Sequence, residues 1–98
     1  MPYRVIYSKR AMSDLINIER YISDTGSPAS AQAYVKAIVA KCDGLAAAPH
    51  QGTRRDHLLP GLRTTGFRRR VTIAFRITRE VVLIAGIFYA GRNIETNV

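Results

Sequence analysis

The residues best suited to chemistry in this chain are arginines, and most of them stand in its second half. Residues 50–98 contain nine Arg, no Lys and three Asp or Glu, so this half carries +6 of a net charge of +8. A guanidinium group pairs bidentately with phosphate or carboxylate. A basic segment also attracts polyanions over long range. The composition therefore predicts an acidic macromolecular partner, either nucleic acid or an acidic protein segment.

Two histidines add a second kind of chemistry to the same half. His50 and His57 flank the run Arg54-Arg55-Asp56. A histidine beside cationic groups could act as the general acid or base of RNA cleavage. Two histidines in a polar loop are, however, also common as plain surface residues.

Familiar cofactor and metal chemistry has little support. The sequence lacks the glycine-rich dinucleotide and nucleotide loops, the zinc-protease motif HExxH and the hydrolase motif GxSxG. Cys42 is the sole cysteine, which excludes an intrachain disulfide and a cysteine metal cluster. The carboxylates are few and scattered. We therefore expect no cofactor and no metal site.

Length and composition predict a single packed domain over residues 1–98. The chain is 47% hydrophobic and 22% charged, close to the average of globular proteins. Its longest apolar run, residues 81–90, is about half of what a membrane helix needs. The first residues lack the apolar segment of a signal peptide. We expect a cytoplasmic protein with no membrane partner.

The first half of the chain predicts a strand and two helices. Residues 3–7 are rich in β-branched and aromatic side chains and favour a strand. Ser8 can cap a first helix that ends at Asp24-Thr25-Gly26, and Ser27-Pro28 opens a second helix that Pro49 closes. The two apolar stripes are Ala11, Leu15, Ile18 and Ile22, then Ala31, Val35, Ile38, Cys42 and Leu45. Two helices joined by so short a turn should form an antiparallel hairpin.

The second half switches to the two-residue period of strands. Residues 48–60 form an irregular connection, residues 61–65 are a candidate strand, and Thr65-Gly66 is a candidate turn. Alternation over residues 71–77 predicts an antiparallel strand with one wet face. After a turn at residues 78–80, the apolar run 81–89 predicts a central strand. The fold class is therefore α+β with the order β-α-α-β-β-β and a small, mostly antiparallel sheet.

This alternation predicts where the arginines point. If Val71, Ile73, Phe75 and Ile77 face the helices, then Arg68, Arg70 and Arg76 project from the opposite face, with Arg63 as a neighbouring candidate. A bulge at Arg68-Arg69-Arg70 would change that register. Arg92, after the last strand, could cap the sheet or reach a phosphate. The predicted partner-binding residues are Arg54, Arg55, Arg63, Arg68, Arg70, Arg76 and Arg92.

An ordered set of short motifs spans almost the whole chain. They are Ser8-Lys9-Arg10-Ala11, Asp14-Leu15-x-x-Ile18, Tyr21-Ile22, Ser27-Pro28-x-x-Ala31, Leu45-x-x-x-Pro49-x-x-Gly52, Gly61-Leu62-Arg63, Val71-Thr72-Ile73-Ala74-Phe75-Arg76 and Val82 through Gly91-Arg92. In this set the chain resembles the ParE/RelE superfamily of toxins from bacterial type II toxin–antitoxin systems, and it is more similar to the ParE branch. Each motif alone is weak, whereas their order is fairly specific.

The resemblance implies both partners and a fold. It implies a helical hairpin on a small sheet, and a cognate antitoxin whose acidic, flexible carboxy-terminal segment wraps the toxin in a hetero-oligomer. Such a segment would gain charge pairing on an Arg-rich surface as it folds. ParE-like toxins are described as poisoning DNA gyrase, whereas RelE-like toxins cut messenger RNA on the ribosome.

The proton-transfer groups of the RelE-like branch are missing at their expected places. Leu58-Leu59-Pro60-Gly61 stands where lysines are expected before the second strand, and no Tyr or His follows Arg92. This favours a toxin that binds its target, with DNA gyrase as the expected target and no catalytic residues. The first alternative is a ribosome-dependent RNase, and the second is a basic nucleic-acid-binding module. The RNase would use Arg63, Arg68, Arg92, His50 and His57.

Overall fold

The elements follow the order that the sequence predicts, with one strand added. The computed structural model describes residues 3–89. Its elements are β1 (Arg4–Tyr7), α1 (Lys9–Thr25), α2 (Pro28–Asp43), a short 3-10 turn (Gly44–Ala46), β2 (Thr53–Arg54), β3 (Leu62–Phe67), β4 (Val71–Thr78) and β5 (Val81–Tyr89). The strands form one sheet in the order β1-β5-β4-β3-β2. Because β1 pairs with β5 in parallel and the other pairs are antiparallel, the predicted α+β class is confirmed.

Capping hydroxyls begin both helices. Ser8 Oγ accepts a hydrogen bond from the Ala11 amide at 3.0 Å, and Ser27 Oγ accepts one from the Ser30 amide at 3.1 Å. Each bond satisfies an amide that has no partner inside its own helix. The Pro28 ring occupies the first turn of α2, where its missing N–H costs nothing. The sequence therefore predicted both starting points.

The core lies between the helix pair and one face of the sheet. Ala11 and Ile18 of α1 and Ile38 and Cys42 of α2 are buried against strand residues of the same cluster. The strand residues are Val71, Ile73, Phe75, Val82, Ile84 and Ile87. This confirms that the alternating residues of β4 face the helices. We call this side the helix face and the other side the open face.

A bulge in β5 separates its two halves. Ala74 pairs with Gly86 and Phe75 with Ile84, so Ala85 is the extra residue. Ser8 closes this irregularity, since its amide donates to the Ile84 carbonyl and its hydroxyl to the Ala85 carbonyl, both at 3.0 Å. β1 ends there, and α1 takes over the edge of β5.

Three predicted details are wrong. The candidate turn at Thr65-Gly66 lies inside β3, which continues to Phe67 because that ring packs against the core. The irregular connection contains the unpredicted strand β2, which pairs with β3. Helix α2 ends at Asp43 rather than at Pro49, since the chain tightens into the 3-10 turn at Gly44.

Candidate partner-binding surfaces

Residues 68–70 form an exposed basic turn between β3 and β4, which we call the Arg turn. The Arg70 amide donates to the Phe67 carbonyl at 3.2 Å. The two central residues have positive φ, 51° at Arg68 and 60° at Arg69, as in a type I′ turn. All three side chains are exposed. The prediction that Arg68 and Arg70 project from the open face within a strand is therefore wrong. Because β3 continues to Phe67, these two residues lie in the turn that follows it.

A group of aromatic rings supports the Arg turn on the helix face. The Arg68 guanidinium lies 4.9 Å from the ring centroid of Phe67 and 5.7 Å from that of Tyr34. Tyr34 in turn meets Phe67 at 6.1 Å and Tyr89 at 5.8 Å, both edge to face. These cation–π contacts hold Arg68 in place while leaving its charge at the surface.

The Tyr34 hydroxyl is the unusual group of this cluster. Its oxygen is buried and has no hydrogen-bond partner among the described residues. Burial and the neighbouring Tyr89 raise the pKa of Tyr34, and Arg68 and Arg70 act in the opposite direction. A neutral phenol is therefore the stable form, which does not favour this group as a base.

Cross-strand pairing fixes the contents of the open face. Ile6, Leu83, Arg76 and Leu62 form one row across four strands, and Arg4 pairs with Val81 in the row beside it. Arg76 therefore points to the open face, as predicted. Arg63 pairs with Phe75 and lies on the helix face, so its predicted place beside Arg76 is wrong. Three loop residues separate the paired residues Phe67 and Val71, and this loop length sets the register of β3 against β4. One residue more or fewer would move every β3 side chain, including Arg63, to the opposite face of the sheet.

Part of the open face is covered, and part of it is not. Leu58 and Leu59 of the loop before β3 pack on Leu62, Ala74 and Phe88. The remaining part contains three aliphatic residues and two arginines, none of them fully buried. We call this part the open-face strip; its members are Arg4, Ile6, Arg76, Val81 and Leu83.

Three other predicted arginines stabilise the long loop. Arg63 Nη1 donates to the His50 carbonyl at 2.9 Å, and Arg55 Nε donates to Thr64 Oγ1 at 3.2 Å. Arg54 Nε donates to a carboxylate oxygen of Asp56 at 2.9 Å. All three therefore have intramolecular partners that a binding role would have to share or replace.

Asp56 binds Arg54 and also the residue that precedes β3. Its second carboxylate oxygen accepts a hydrogen bond from the Gly61 amide at 2.9 Å. That hydrogen bond, followed by the charges of Arg54 and Arg63, lowers the pKa of Asp56. The carboxylate therefore stays ionised at neutral pH and keeps its bond to the loop.

The four described residues of the predicted RNase set do not converge on one place. The His50 ring meets Tyr3 edge to face at 6.5 Å, while Arg63 binds only the His50 backbone. His57 is exposed in the loop, Arg68 lies at the far end of β3, and Arg92 lies outside the described residues. Within residues 3–89, no group of three or more His, Cys, Asp or Glu could hold a metal ion.

The thiol of Cys42, a possible nucleophile, is inaccessible to solvent. Cys42 is fully buried, and burial raises the pKa of its thiol to about 12. Tyr7 above it donates to Asp43 Oδ1 at 2.8 Å. Both groups are therefore locked in their protonated forms at neutral pH, which confirms Cys42 as a small buried hydrophobe.

Sequence reasoning missed five of these surface residues. The predicted partner-binding residues did not include Arg69, Arg4, Ile6, Val81 and Leu83. The signal for Arg4 and Ile6 was the alternation within β1, whose exposed members are these two. Arg69 could have been found only by locating the turn, which depends on how Phe67 packs.

The fold and these surfaces define a class of protein, a small basic α+β domain with candidate binding surfaces, whose described residues form no convergent catalytic group. No described helix has the length and apolarity needed to cross a membrane. The family model for the ParE toxin of the type II toxin–antitoxin system parDE matches residues 5–94. The chain belongs to this family of toxins.

Solved structures agree with that assignment. The chain is similar to one in a structure of the chromosomal ParDE toxin–antitoxin system from P. aeruginosa, with 25% identity and a TM-score of 0.79 over 90% of this chain and 96% of that one. It also shares the fold of a chain in the toxin–antitoxin complex RelBE2 from Mycobacterium tuberculosis, with 22% identity, a TM-score of 0.63, and coverage of 91% and 99%. No curated protein sequence matches significantly.

Proposed function

We propose that this toxin acts in the cytoplasm by binding DNA gyrase, and that an acidic segment of a cognate antitoxin keeps it inactive. The observation that carries the proposal is the separation of Arg63 from Arg68, the two described cations of the predicted RNase set. Arg63 donates a hydrogen bond to the His50 carbonyl. It lies four residues, or about 13 Å, from the end of β3, and Arg68 packs over aromatic rings near that end. Cleavage of RNA needs cations and a proton-transfer group around one phosphate. Dispersed cations fit recognition of a protein surface better.

The open-face strip is the proposed antitoxin site. Its three aliphatic side chains offer an apolar anchor, and Arg4 and Arg76 flank them with no carboxylate among the five residues. An amphipathic acidic segment would bury the aliphatic groups and pair its carboxylates with the guanidinium groups. The solved ParDE structure supports this partner, because it comes from a toxin–antitoxin system.

The target is tested with two assays on the purified chain. One follows DNA supercoiling and the accumulation of cleaved DNA by purified bacterial gyrase. The other follows messenger RNA on translating ribosomes. Gyrase inhibition with intact message is the expected result. Cut message with unaffected gyrase would overturn the proposal.

The antitoxin site is tested separately. The toxin is coexpressed with the product of the reading frame adjacent to its gene, where a cognate antitoxin is expected, and the dissociation constant of the complex is measured. Arg76→Glu should weaken the complex at least ten-fold, since it removes a charge pair and adds repulsion. Lys36→Glu reverses an exposed charge on α2 and serves as the control. Equal losses in both variants would point to general charge rather than to the strip.

Ribosome-dependent RNA cleavage is the second candidate. Two partial groupings favour it: Arg63 reaches the backbone carbonyl of His50, and Tyr89 shares a ring cluster with Arg68 through Tyr34. If this candidate holds, His50→Gln or Tyr89→Phe abolishes message cleavage in the ribosome assay while leaving antitoxin binding intact.

A further inference from the structure

The Arg turn has an unexpected sequence for its backbone conformation. A turn with positive φ at both central positions favours Asn-Gly, because larger L side chains crowd the backbone there. Here both positions are arginine, with φ of 51° and 60°. A local conflict of this kind is typical of a site where side-chain chemistry matters more than stability.

The charge of the Arg turn is not neutralised within the described chain. The two ion pairs found among residues 3–89 are Arg10–Asp14 and Arg54–Asp56, and neither involves a residue of the Arg turn. Arg68 is fixed over Phe67 and Tyr34, whereas Arg69 makes no hydrogen bond or ion pair with a described residue. The turn thus presents three adjacent guanidinium groups at the end of a hairpin, one of them held in place.

The neighbourhood of the Arg turn distinguishes between two kinds of acidic partner. An acidic peptide needs apolar anchors as well as charge pairs, and the two rings beside the turn, Phe67 and Tyr34, are both half-buried beneath Arg68. A phosphate backbone is bound chiefly through charge and guanidinium hydrogen bonds. Duplex DNA carries its phosphates at about one charge per 1.7 Å, a density that adjacent guanidinium groups can match.

We propose that the Arg turn is a binding site for the phosphate backbone of duplex DNA. This site is distinct from the open-face strip, because the strip lies on the other face of the sheet. The inference does not rest on gyrase as the target. DNA binding by the isolated chain and inhibition of gyrase are measured separately, so one can fail while the other holds.

The chain contains a matched control for this site. Arg79 lies in the β4–β5 turn, at the opposite end of β4, and also has positive φ, 55°. Arg69→Gly and Arg79→Gly therefore remove the same charge from the same backbone conformation. Thermal unfolding of both variants is measured first, to establish that each still folds.

The test is fluorescence anisotropy with a labelled 20-base-pair duplex between 0.05 and 0.2 M salt. One phosphate contact contributes about 0.9 to the salt slope, or about eight-fold in affinity at 0.1 M salt. Arg69→Gly should weaken binding by about that factor and lower the slope by about 0.9, whereas Arg79→Gly should leave both nearly unchanged. Equal losses in the two variants, no binding at 0.05 M salt, or tighter binding of a single-stranded RNA of equal length would each overturn the inference.

Discussion

Asp14 joins α1 to the sheet at the point where β1 stops pairing with β5. One of its oxygens accepts a hydrogen bond from the Ile87 amide at 2.9 Å and lies 3.5 Å from Arg10 Nε. The Asp14 side chain is 11% exposed and that of Arg10 is 40% exposed. The amide of a buried central strand therefore depends on a single side chain.

Replacing Asp14 with Ala should cost a large part of the stability of this small protein. A hydrogen bond to a charged group contributes about 1.5–3 kcal/mol, and an i,i+4 ion pair of this exposure adds about 0.3–0.5 kcal/mol. The sum is about 2–3.5 kcal/mol. For a chain of this size, that corresponds to a fall in Tm of roughly 8–28 °C.

The Asp14→Asn substitution separates the contribution of the negative charge from that of the hydrogen-bond acceptor. Asparagine keeps an oxygen for the Ile87 amide, and a neutral hydrogen bond has about half the strength of a charge-assisted one. Because the ion pair with Arg10 is lost as well, its expected cost is about 1–2 kcal/mol. Asp24→Ala removes an exposed carboxylate from the same helix and should change stability by less than about 0.5 kcal/mol.

The assay is thermal and urea unfolding, with hydrogen exchange of the Ile87 amide measured by NMR. Asp14→Ala should accelerate that exchange more than Asp14→Asn does. If the Ala and Asn variants unfold at the same temperature, or if Ile87 exchange does not change, the stabilising role assigned to this hydrogen bond is refuted.

Three further substitutions or probes test other parts of the fold. Gly52→Ala should destabilise the protein by clearly more than Gly61→Ala in urea unfolding, because a Cβ at Gly52 would lie 2.5 Å from a backbone oxygen whereas one at Gly61 meets nothing within 4 Å. Both have positive φ, which alone costs about 1–2 kcal/mol, so equal losses would contradict the clash. The Cys42 thiol should be inert to a disulfide reagent at pH 8 in the native state and react in urea, since burial raises its pKa to about 12; rapid native reaction would show that it is accessible. Because the folded pKa of Asp56 is lowered, the stability it contributes is present at neutral pH and is lost on acidification through that pKa. The protection of the Gly61 amide against exchange, relative to the intrinsic rate at each pH, should therefore fall in acid, and an Asp56→Asn variant should lack this change.

The parts of the fold that were predictable are those with local signals. Ser8 and Ser27 marked the helix starts, and the periods of 3.6 and 2 separated the helices from β4 and β5. These signals depend on the nearest residues only. The elements predicted from these signals are found in the structure because the core is built from the same apolar stripes.

The β3–β4 hairpin was mispredicted because a distant contact decides it. Gly66 is a common turn residue, yet the chain stays extended there because Phe67 reaches Tyr34 on α2. That contact moves the turn onto residues 68–70 and makes the loop odd-numbered. The same shift places Arg63 on the helix face, so one misplaced turn misplaced most of the predicted basic patch.

The partner surfaces were less predictable than the elements. Arg76 was correctly assigned to the open face because β4 alternates regularly over its length. The strip around it also needs β1 beside β5, and a parallel pairing between the first and last described strands leaves no local pattern. The predicted partner roles of the arginines stay predictions, since placement alone does not test binding.

The pairing of β1 with β5 brings together residues separated by 77 positions in the chain. During synthesis the chain emerges from its amino terminus, so β1 has no neighbour in the sheet until β5 has been made. The open-face strip takes residues from β1, β4 and β5, and it therefore exists only once β5 has been synthesised. A partner that recognises this surface would select chains that contain β5 and ignore chains truncated before it, so its binding would report that translation has passed the last strand of the sheet.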